Sequence, residues 1–279
     1  NFNKDYGRIN LDYETYLIAD SHGATLKKSL EQYGIFNFSY NSDSYLDMER
    51  KIKYLIHESQ VKTILITVDE HTLSKYRERL NNSDLSIFYT NKSDYSNIFD
   101  YINSKYIKSI LLNVKMKKIL LTYFRSKFSS TPKIQKWINL SGDEKKKQSQ
   151  KRFADQFPSK EISVHLKSSL INIIDLCNEN NINVVGIKFP KTKIFHNQIK
   201  DSDYHADSLL IAKKIKIMDY SSLYFNKPSY FKDSDHLNEL GVSEFSKVLG
   251  FENYEKTIIN NLVSEISENI MLSISKISE

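Results

Sequence analysis

Two runs limit what this chain can become: Val61 to Val68 (VKTILITV) and Ile182 to Phe189 (INVVGIKF). Each is rich in β-branched residues and almost continuously apolar, which predicts strands covered on both faces, as the central strands of a parallel sheet are. Strands with one wet face would alternate instead. Both runs stop abruptly, the first at Asp69-Glu70-His71 and the second at Pro190. A shorter run, Tyr16 to Ala19, stops in the same way at Asp20-Ser21-His22-Gly23.

Between these runs the apolar period becomes helical. Leu26, Leu30 and Tyr33 fall three or four apart after Thr25, with Gly34 closing the element. Tyr45, Met48, Ile52 and Ile56 fall near one face of a helix over residues 44–57. Further helices are expected at 72–80, over most of 94–127, at 161–179, near 201–213, at 241–249 and at about 253–276. The remaining strands are expected at 35–38, 85–89 and 215–218. Strands alternating with crossovers of this length make an open α/β sheet, with the site beyond the carboxyl ends of its strands. Residues 128–160 depart from the pattern, reading Ser-Ser-Thr-Pro and then Ser-Gly-Asp-Glu-Lys-Lys-Lys, with Trp137 and Ile138 as the main apolar residues. They are expected to form an insertion or lid within one domain spanning 1–279, because the alternation resumes after them.

Composition narrows the classes. Apolar residues at 40% and aromatics at 12% suffice for a sizeable core. The single cysteine, Cys177, excludes an internal disulfide and a cysteine-rich zinc site, and its neighbours Ile173, Ile174 and Leu176 place it in a buried helix face. Seven glycines and four prolines exclude collagen-like, linker-repeat and glycine-rich-loop architectures. No apolar stretch approaches the roughly 18 residues of a membrane span. The sequence starts at Asn1 rather than Met, so composition leaves the compartment open. The net charge of +6 is modest, and basic residues collect at Lys115 to Lys118, at Lys145 to Lys147 with Lys151-Arg152, and at Lys213 to Lys216. With no zinc-finger or RNA-binding signature beside them, these read as solvated lysines or as a face toward an anionic polymer or membrane, and no nucleic-acid partner is expected.

The polar residues at the strand ends carry the chemistry. Ser21 sits between the first strand and a helix, where the first helix amides favour an oxyanion or phosphate. Serine and aspartate there are equally ordinary helix caps. Ala19 stands where a G-x-S-x-G elbow would have its first glycine, which disfavours the α/β-hydrolase type. In Asp233-Ser234-Asp235-His236, a carboxylate three residues ahead of a histidine can turn back onto Nδ1, leaving Nε2 to take a serine proton. The same Asp-x-x-His suits a helix cap or half of a metal site. Asp20, His22, Asp69, His71, Asp201, Asp203, His205, Asp235 and His236 offer oxygen and nitrogen ligands if they converge, the basis of a metal-dependent alternative. His196 and His205 lie in segments expected to be solvated. No metal site and no cofactor is assigned. Tyr40, Tyr45, Tyr220, Tyr224, Phe225 and Tyr230 are stacking faces for a catalytically inactive glycan-binding module, although core packing is the plainer role for each.

Together, Ala19-Asp20-Ser21-His22-Gly23 and Asp233 through Gly241 (Asp-x-x-His-Leu-Asn-x-x-Gly) resemble the SGNH/GDSL hydrolase superfamily. The second motif looks most like the cell-envelope acyltransferase branch that includes the teichoic acid D-alanyl transfer protein. The resemblance implies a three-layer flavodoxin-like fold and a Ser21–His236–Asp233 triad. It further implies acyl transfer or ester hydrolysis on a bacterial envelope polysaccharide or related polymer. The implied partners are an acyl donor, a glycan or polyol acceptor and a membrane-embedded acyl-transfer protein, with the chain extracytoplasmic and anchored through a segment upstream of Asn1; a cytoplasmic location is the alternative. The oligomeric state is open. The family's later glycine and asparagine donors are missing from Asn37 to Asp43 and from Thr67 to His71. The oxyanion candidates are therefore the Ser21 amide, the Ser42 amide and His71.

Overall fold

A computed structural model describes residues 6–107 and 137–251. Five strands, β1 (Thr15–Ile18), β2 (Ile35–Asn37), β3 (Thr63–Thr67), β4 (Asn183–Lys188) and β5 (Ile217–Asp219), form one parallel sheet in the order β2-β1-β3-β4-β5. Leu17 pairs with Leu65, and Leu65 with Val185, so the two long apolar runs are central neighbours. This is the flavodoxin-like strand order, whose direction of travel reverses between β1 and β3.

The helices are α1 (Ser21–Ala24), α2 (Tyr45–Glu58), α3 (Lys75–Arg79), α4 (Ser83–Ser86), α5 (Ile98–Ile102), α6 (Gly142–Gln156), α7 (Val164–Glu179), α8 (Lys193–Ile199), α9 (Ala206–Ala212) and α10 (residues 239–251). Alternate strand residues serve opposite faces. Tyr16, Ile18, Ile64, Ile66 and Val184 pack with Met48, Ile52, Leu55, Leu170, Ile173 and Cys177 of α2 and α7. Leu17, Ala19, Leu65, Val185 and Ile187 pack on the other face with Leu26, Leu30, Trp137, Phe245 and Leu249. Helices on both faces of one sheet give the expected three-layer α/β fold, and the sheet is wholly parallel among the described residues.

Local polar chemistry sets the element ends. The buried Asp47 carboxylate accepts from the Ser44 amide at 2.8 Å and from the Ser44 hydroxyl at 2.8 Å, which fixes the start of α2. It also accepts from Ser86 Oγ at 2.7 Å and from the Asn82 amide at 3.1 Å, tying the following segment to α2. That tie, with Arg50 Nη1 on Ser83 O at 2.8 Å, explains why residues 85–89 form α4 and a 3-10 turn instead of the expected strand. The helix expected from Thr25 is replaced by turns, since Lys27 has φ 50 and Asn37 Nδ2 takes its carbonyl at 2.9 Å. Gly34 closes that stretch in the left-handed region, at φ 72. Leu55 rather than Ile56 is the buried residue of the last turn of α2. The α8 helix, capped by Thr192, has no counterpart in the sequence expectations, and α9 starts only at Ala206, after a loop at Asp203 to His205.

Within the expected insertion, Trp137 is buried, Ile138 is exposed and residues 142–156 are a regular helix opened by Ser141, whose amide donates to Glu144 at 2.8 Å. Residues 128–136, the 108–127 part of the expected long helix, Lys115 to Lys118 and the expected helix at 253–276 lie outside the described residues. Among the described residues no helix is long and apolar enough to cross a membrane.

Gly241 lies where α10 passes the loop before it, and an added Cβ would press into the Tyr230 carbonyl oxygen. That carbonyl accepts from the Asn238 amide at 2.8 Å and so closes the loop carrying His236. Gly241→Ala is therefore expected to lower stability by about 1–3 kcal/mol through overpacking, measured as a fall in the urea midpoint at constant slope. An unchanged midpoint would show that the loop yields at no cost.

Candidate active site

The reversal between β1 and β3 puts two strand ends and their polar residues side by side. Past Ile18, Ala19 is pinned by Ser39 Oγ, which accepts its amide at 2.9 Å. Asp20 caps α1 through the His22 amide at 3.0 Å, and the Ala24 and Thr25 amides close the turn on Asp20 O and Ser21 O. Gly23 is required here, because a Cβ would lie 2.5 Å from Ser39 Oγ and 2.6 Å from Ala19 Cβ.

Ser21 Oγ lies 2.9 Å from His236 Nε2. The histidine is carried by a narrow loop in which Phe231 bridges Leu237, the Lys232 amide donates to His236 O at 3.0 Å, and Thr192 Oγ1 donates to Ser234 O at 2.8 Å. Asp233 Oδ1 accepts the amides of Asp235 (3.1 Å) and His236 (2.8 Å) and lies 3.0 Å from His236 Nδ1. With carboxylate at Nδ1, the proton of the neutral ring sits on Nδ1 and Nε2 faces the serine as acceptor. Burial alone would push the His236 pKa down. The nearby charge of Asp235 and the hydrogen bond that Nδ1 makes to Asp233 outweigh it and raise the pKa above the ordinary histidine value.

Beneath this pair lies a dense buried charge network. His22 Nδ1 donates to Asp69 Oδ2 at 2.7 Å, and its Nε2, 3.4 Å from Asp235 Oδ2, forms an ion pair outside hydrogen-bond geometry. Burial opposes the imidazolium, but Asp20 and Asp69 overcome it and push the His22 pKa up to about 10. Asp69 also accepts from the Phe189 amide at 2.9 Å and from Lys191 Nζ at 2.9 Å, and its pKa is depressed against its burial by Lys191 and His22. Asp235 accepts from Arg152 Nε and Gln156 Nε2, both at 2.9 Å. Its pKa is held well below the carboxylate range, because His236, His22 and Arg152 outweigh burial.

The oxyanion candidates are placed differently from one another. His71 Nε2 lies 3.1 Å from Asp20 Oδ2, and its pKa is lowered mainly by burial. The neutral ring therefore donates its single proton to Asp20 and keeps only an acceptor at Nδ1, which removes it as an oxyanion donor. Ser42 stands after β2 with φ 70, a conformation that glycine adopts more readily. Its loop is clamped by Lys51 Nζ on Phe38 O (2.7 Å), by Arg77 on Asp43 O and by Asn82 Nδ2 on Asn41 O (2.7 Å). The Ser42 amide has no hydrogen-bond partner among the described residues.

Of the residues offered as metal ligands, His22, Asp235 and His236 converge, with one ligand atom of each within 4.8 Å of the others. Asp203 and His205 form a second such group with Asp207, more exposed and partly taken by Lys188, whose Nζ is 2.6 Å from Asp207 and 3.2 Å from Asp203. Of the two other histidines and the aromatic residues singled out, His205 is exposed and His196 is half-buried with its ring against Phe225. Tyr45, Tyr220 and Tyr224 are buried, and Tyr45 Oη donates to Thr67 O at 2.8 Å, so these three are core rather than platform. Cys177 is buried with its thiol pKa raised to about 12 by burial. Arg152, Gln156 and Lys191 are the site's neighbours that no sequence motif marked; Arg152 carried the only signal, as part of a basic cluster.

No family model matches the chain, and no curated protein matches it. Among solved structures it is similar to a GDSL-like lipase from Bacteroides thetaiotaomicron, at 7% identity and a TM-score of 0.44, covering 90% of this chain and 95% of that one. It is also similar to a candidate acylhydrolase from Bacteroides fragilis, at 10% identity and a TM-score of 0.43, covering 91% and 94%. Likeness at this level assigns neither a residue nor an activity to this chain.

Proposed function

We propose that the protein is a serine-dependent O-acyltransferase or esterase working through an acyl-serine intermediate. The observation that carries this reading is Ser21 Oγ at 2.9 Å from His236 Nε2, with Asp233 on Nδ1. Nε2 takes the Ser21 proton as Oγ attacks an ester carbonyl, and the imidazolium then returns that proton to the leaving alcohol. A second hydroxyl, from water or from a glycan or polyol, attacks the acyl-serine with His236 again as base. The Ser21 and Ser42 amides are the donors offered to the developing oxyanion. Such a chain would act on an envelope polysaccharide or related polymer, outside the cytoplasm and beside an acyl-supplying membrane partner; these points follow the sequence resemblance. A catalytically inactive glycan-binding role would leave Ser21 replaceable.

A second reading has its own observation. The convergence of His22, Asp235 and His236 offers two nitrogens and a carboxylate, a donor set suited to a zinc-like divalent ion in a hydrolase. Arg152 and Gln156 on Asp235, and the raised His22 pKa, compete with such an ion.

The two readings part on a simple assay with an aryl acetate. The serine reading expects Ser21→Ala to abolish turnover with the fold intact by circular dichroism, and a chelator to change nothing. Turnover that survives Ser21→Ala but is lost with chelator and restored by zinc would overturn it in favour of the metal.

A further inference from the structure

His236 Nδ1 faces two carboxylates. Asp233 reaches it at 3.0 Å from a side chain that is 42% exposed, and Asp235 at 3.3 Å from one that is 1% exposed. The origins of the two grips differ. Asp233 is held by amides of its own turn, those of Asp235 and His236. Asp235 is held from far along the chain, by Arg152 Nε and Gln156 Nε2 at 2.9 Å each. Arg152 and Gln156 are four residues apart on α6 and so share one face of that helix. The half-exposed carboxylate is screened by water, whereas the buried one acts through a low dielectric.

The same face of α6 forms one wall of an open cleft of about 390 Å³, with Gln148, Arg152 and Asp155 opposite Asp233 and His236. The helix therefore meets the reacting histidine twice, across the cleft and through Asp235. It also belongs to the stretch that breaks the strand–helix alternation of the sequence.

We propose that Asp235 and Arg152 are positioning residues for His236, and that through them helix α6 sets the imidazole against Ser21. The inserted helix is then a working part of the acyl-transfer site rather than a passive lid. This rests on the serine reading of the site. Arg152 has no direct part in the chemistry: it orients Asp235, and Asp235 orients the ring. Small misplacements of a reacting group are costly, on the order of 10²-fold for about 1 Å.

The test is a double-mutant cycle in kcat on an aryl acetate, repeated as the rate of Ser21 labelling by a fluorophosphonate. Asp235→Asn, which keeps the side-chain shape, is expected to lower both about 10- to 100-fold with KM little changed. Arg152→Gln is expected to lower both about tenfold, and Arg152→Lys to recover part of that loss. The double variant should be no slower than Asp235→Asn alone, since Arg152 acts only through Asp235. Losses that multiply in the double variant, or an Arg152→Gln effect confined to KM, would overturn the proposal and leave Arg152 as a wall of the cleft. If Arg152→Gln fails to fold, the comparison of Asp235→Asn with the Asp235→Asn/Arg152→Lys pair decides, with an added loss counting against the proposal. Ser21→Ala is run alongside. If it keeps full turnover, the serine reading fails and this proposal with it; if it is dead while the losses multiply, only this proposal fails.

Discussion

His236→Ala is expected to turn over an aryl acetate about 10⁴-fold or more slowly than the native protein, and Ser21→Ala/His236→Ala no more slowly than either single variant. The reason is geometric. Among the described residues Nε2 of His236 has one hydrogen-bond partner, Ser21 Oγ at 2.9 Å, and without the base the hydroxyl is a poor nucleophile at neutral pH. Groups that act as one unit give losses that do not multiply. Multiplying losses would mean that the serine and the histidine serve separate steps, and the acyl-serine scheme would fall. The pH profile follows from the same contacts. The His236 pKa is raised, chiefly by Asp235 and Asp233 acting against burial, and the neutral ring is the active form in the free enzyme. The acid limb of kcat/KM is therefore expected above the ordinary histidine value of about 6.5. A limb at or below that value would contradict the two-carboxylate environment.

The legible parts of this molecule are those that depend on near neighbours in sequence. VKTILITV and INVVGIKF declared central parallel strands because two-sided burial leaves no room for alternation, and Leu65 and Val185 pair as neighbours. Asp233 and His236 could be read because a three-residue turn brings a carboxylate back onto an imidazole by itself. Ser21 could be read because strand-end serines before a helix are a short pattern. The illegible parts join distant residues. Arg152 and Asp235 are 83 residues apart and Lys191 and Asp69 122 apart, and a basic residue in a charged run gives no sign of which carboxylate it will meet.

His71 shows the same limit from the other side. The sequence put it where an oxyanion donor belongs, two residues past Asp69 at the end of β3. What decides its role is Asp20, 51 residues away, which takes its only proton. The strand 85–89 failed for a related reason: its β-compatible residues were overruled by the Asp47 carboxylate, which holds Asn82 and Ser86 against α2. In each case a buried carboxylate, whose unpaired charge would be costly, outranks a local preference of well under 1 kcal/mol per residue.

The same reasoning gives the largest stability effect expected here, at Lys191. Its ammonium group is 1% exposed, lies 2.9 Å from Asp69 and 2.7 Å from Glu70, and also donates to Phe189 O at 3.3 Å. Lys191→Met keeps the aliphatic stem but takes from two buried carboxylates the cation they share, so it is expected to cost about 3–5 kcal/mol in urea unfolding. A loss under about 1 kcal/mol would mean that water or His22 already neutralises Asp69. His22 supplies a second arm to the experiment through pH. Its folded pKa, about 10, lies above the ordinary value of about 6.5, so between those values the folded protein binds the extra proton. Its contribution is fully present below about pH 6.5 and is lost as pH rises through about 10. Native stability is therefore expected to fall across that window, and in His22→Gln the fall should be largely absent. In Lys191→Met the fall should persist and extend to higher pH, because Asp69 then has His22 as its main remaining cation. A native profile flat from pH 7 to 10 would show that His22 is neutral in the fold and that Lys191 alone holds Asp69.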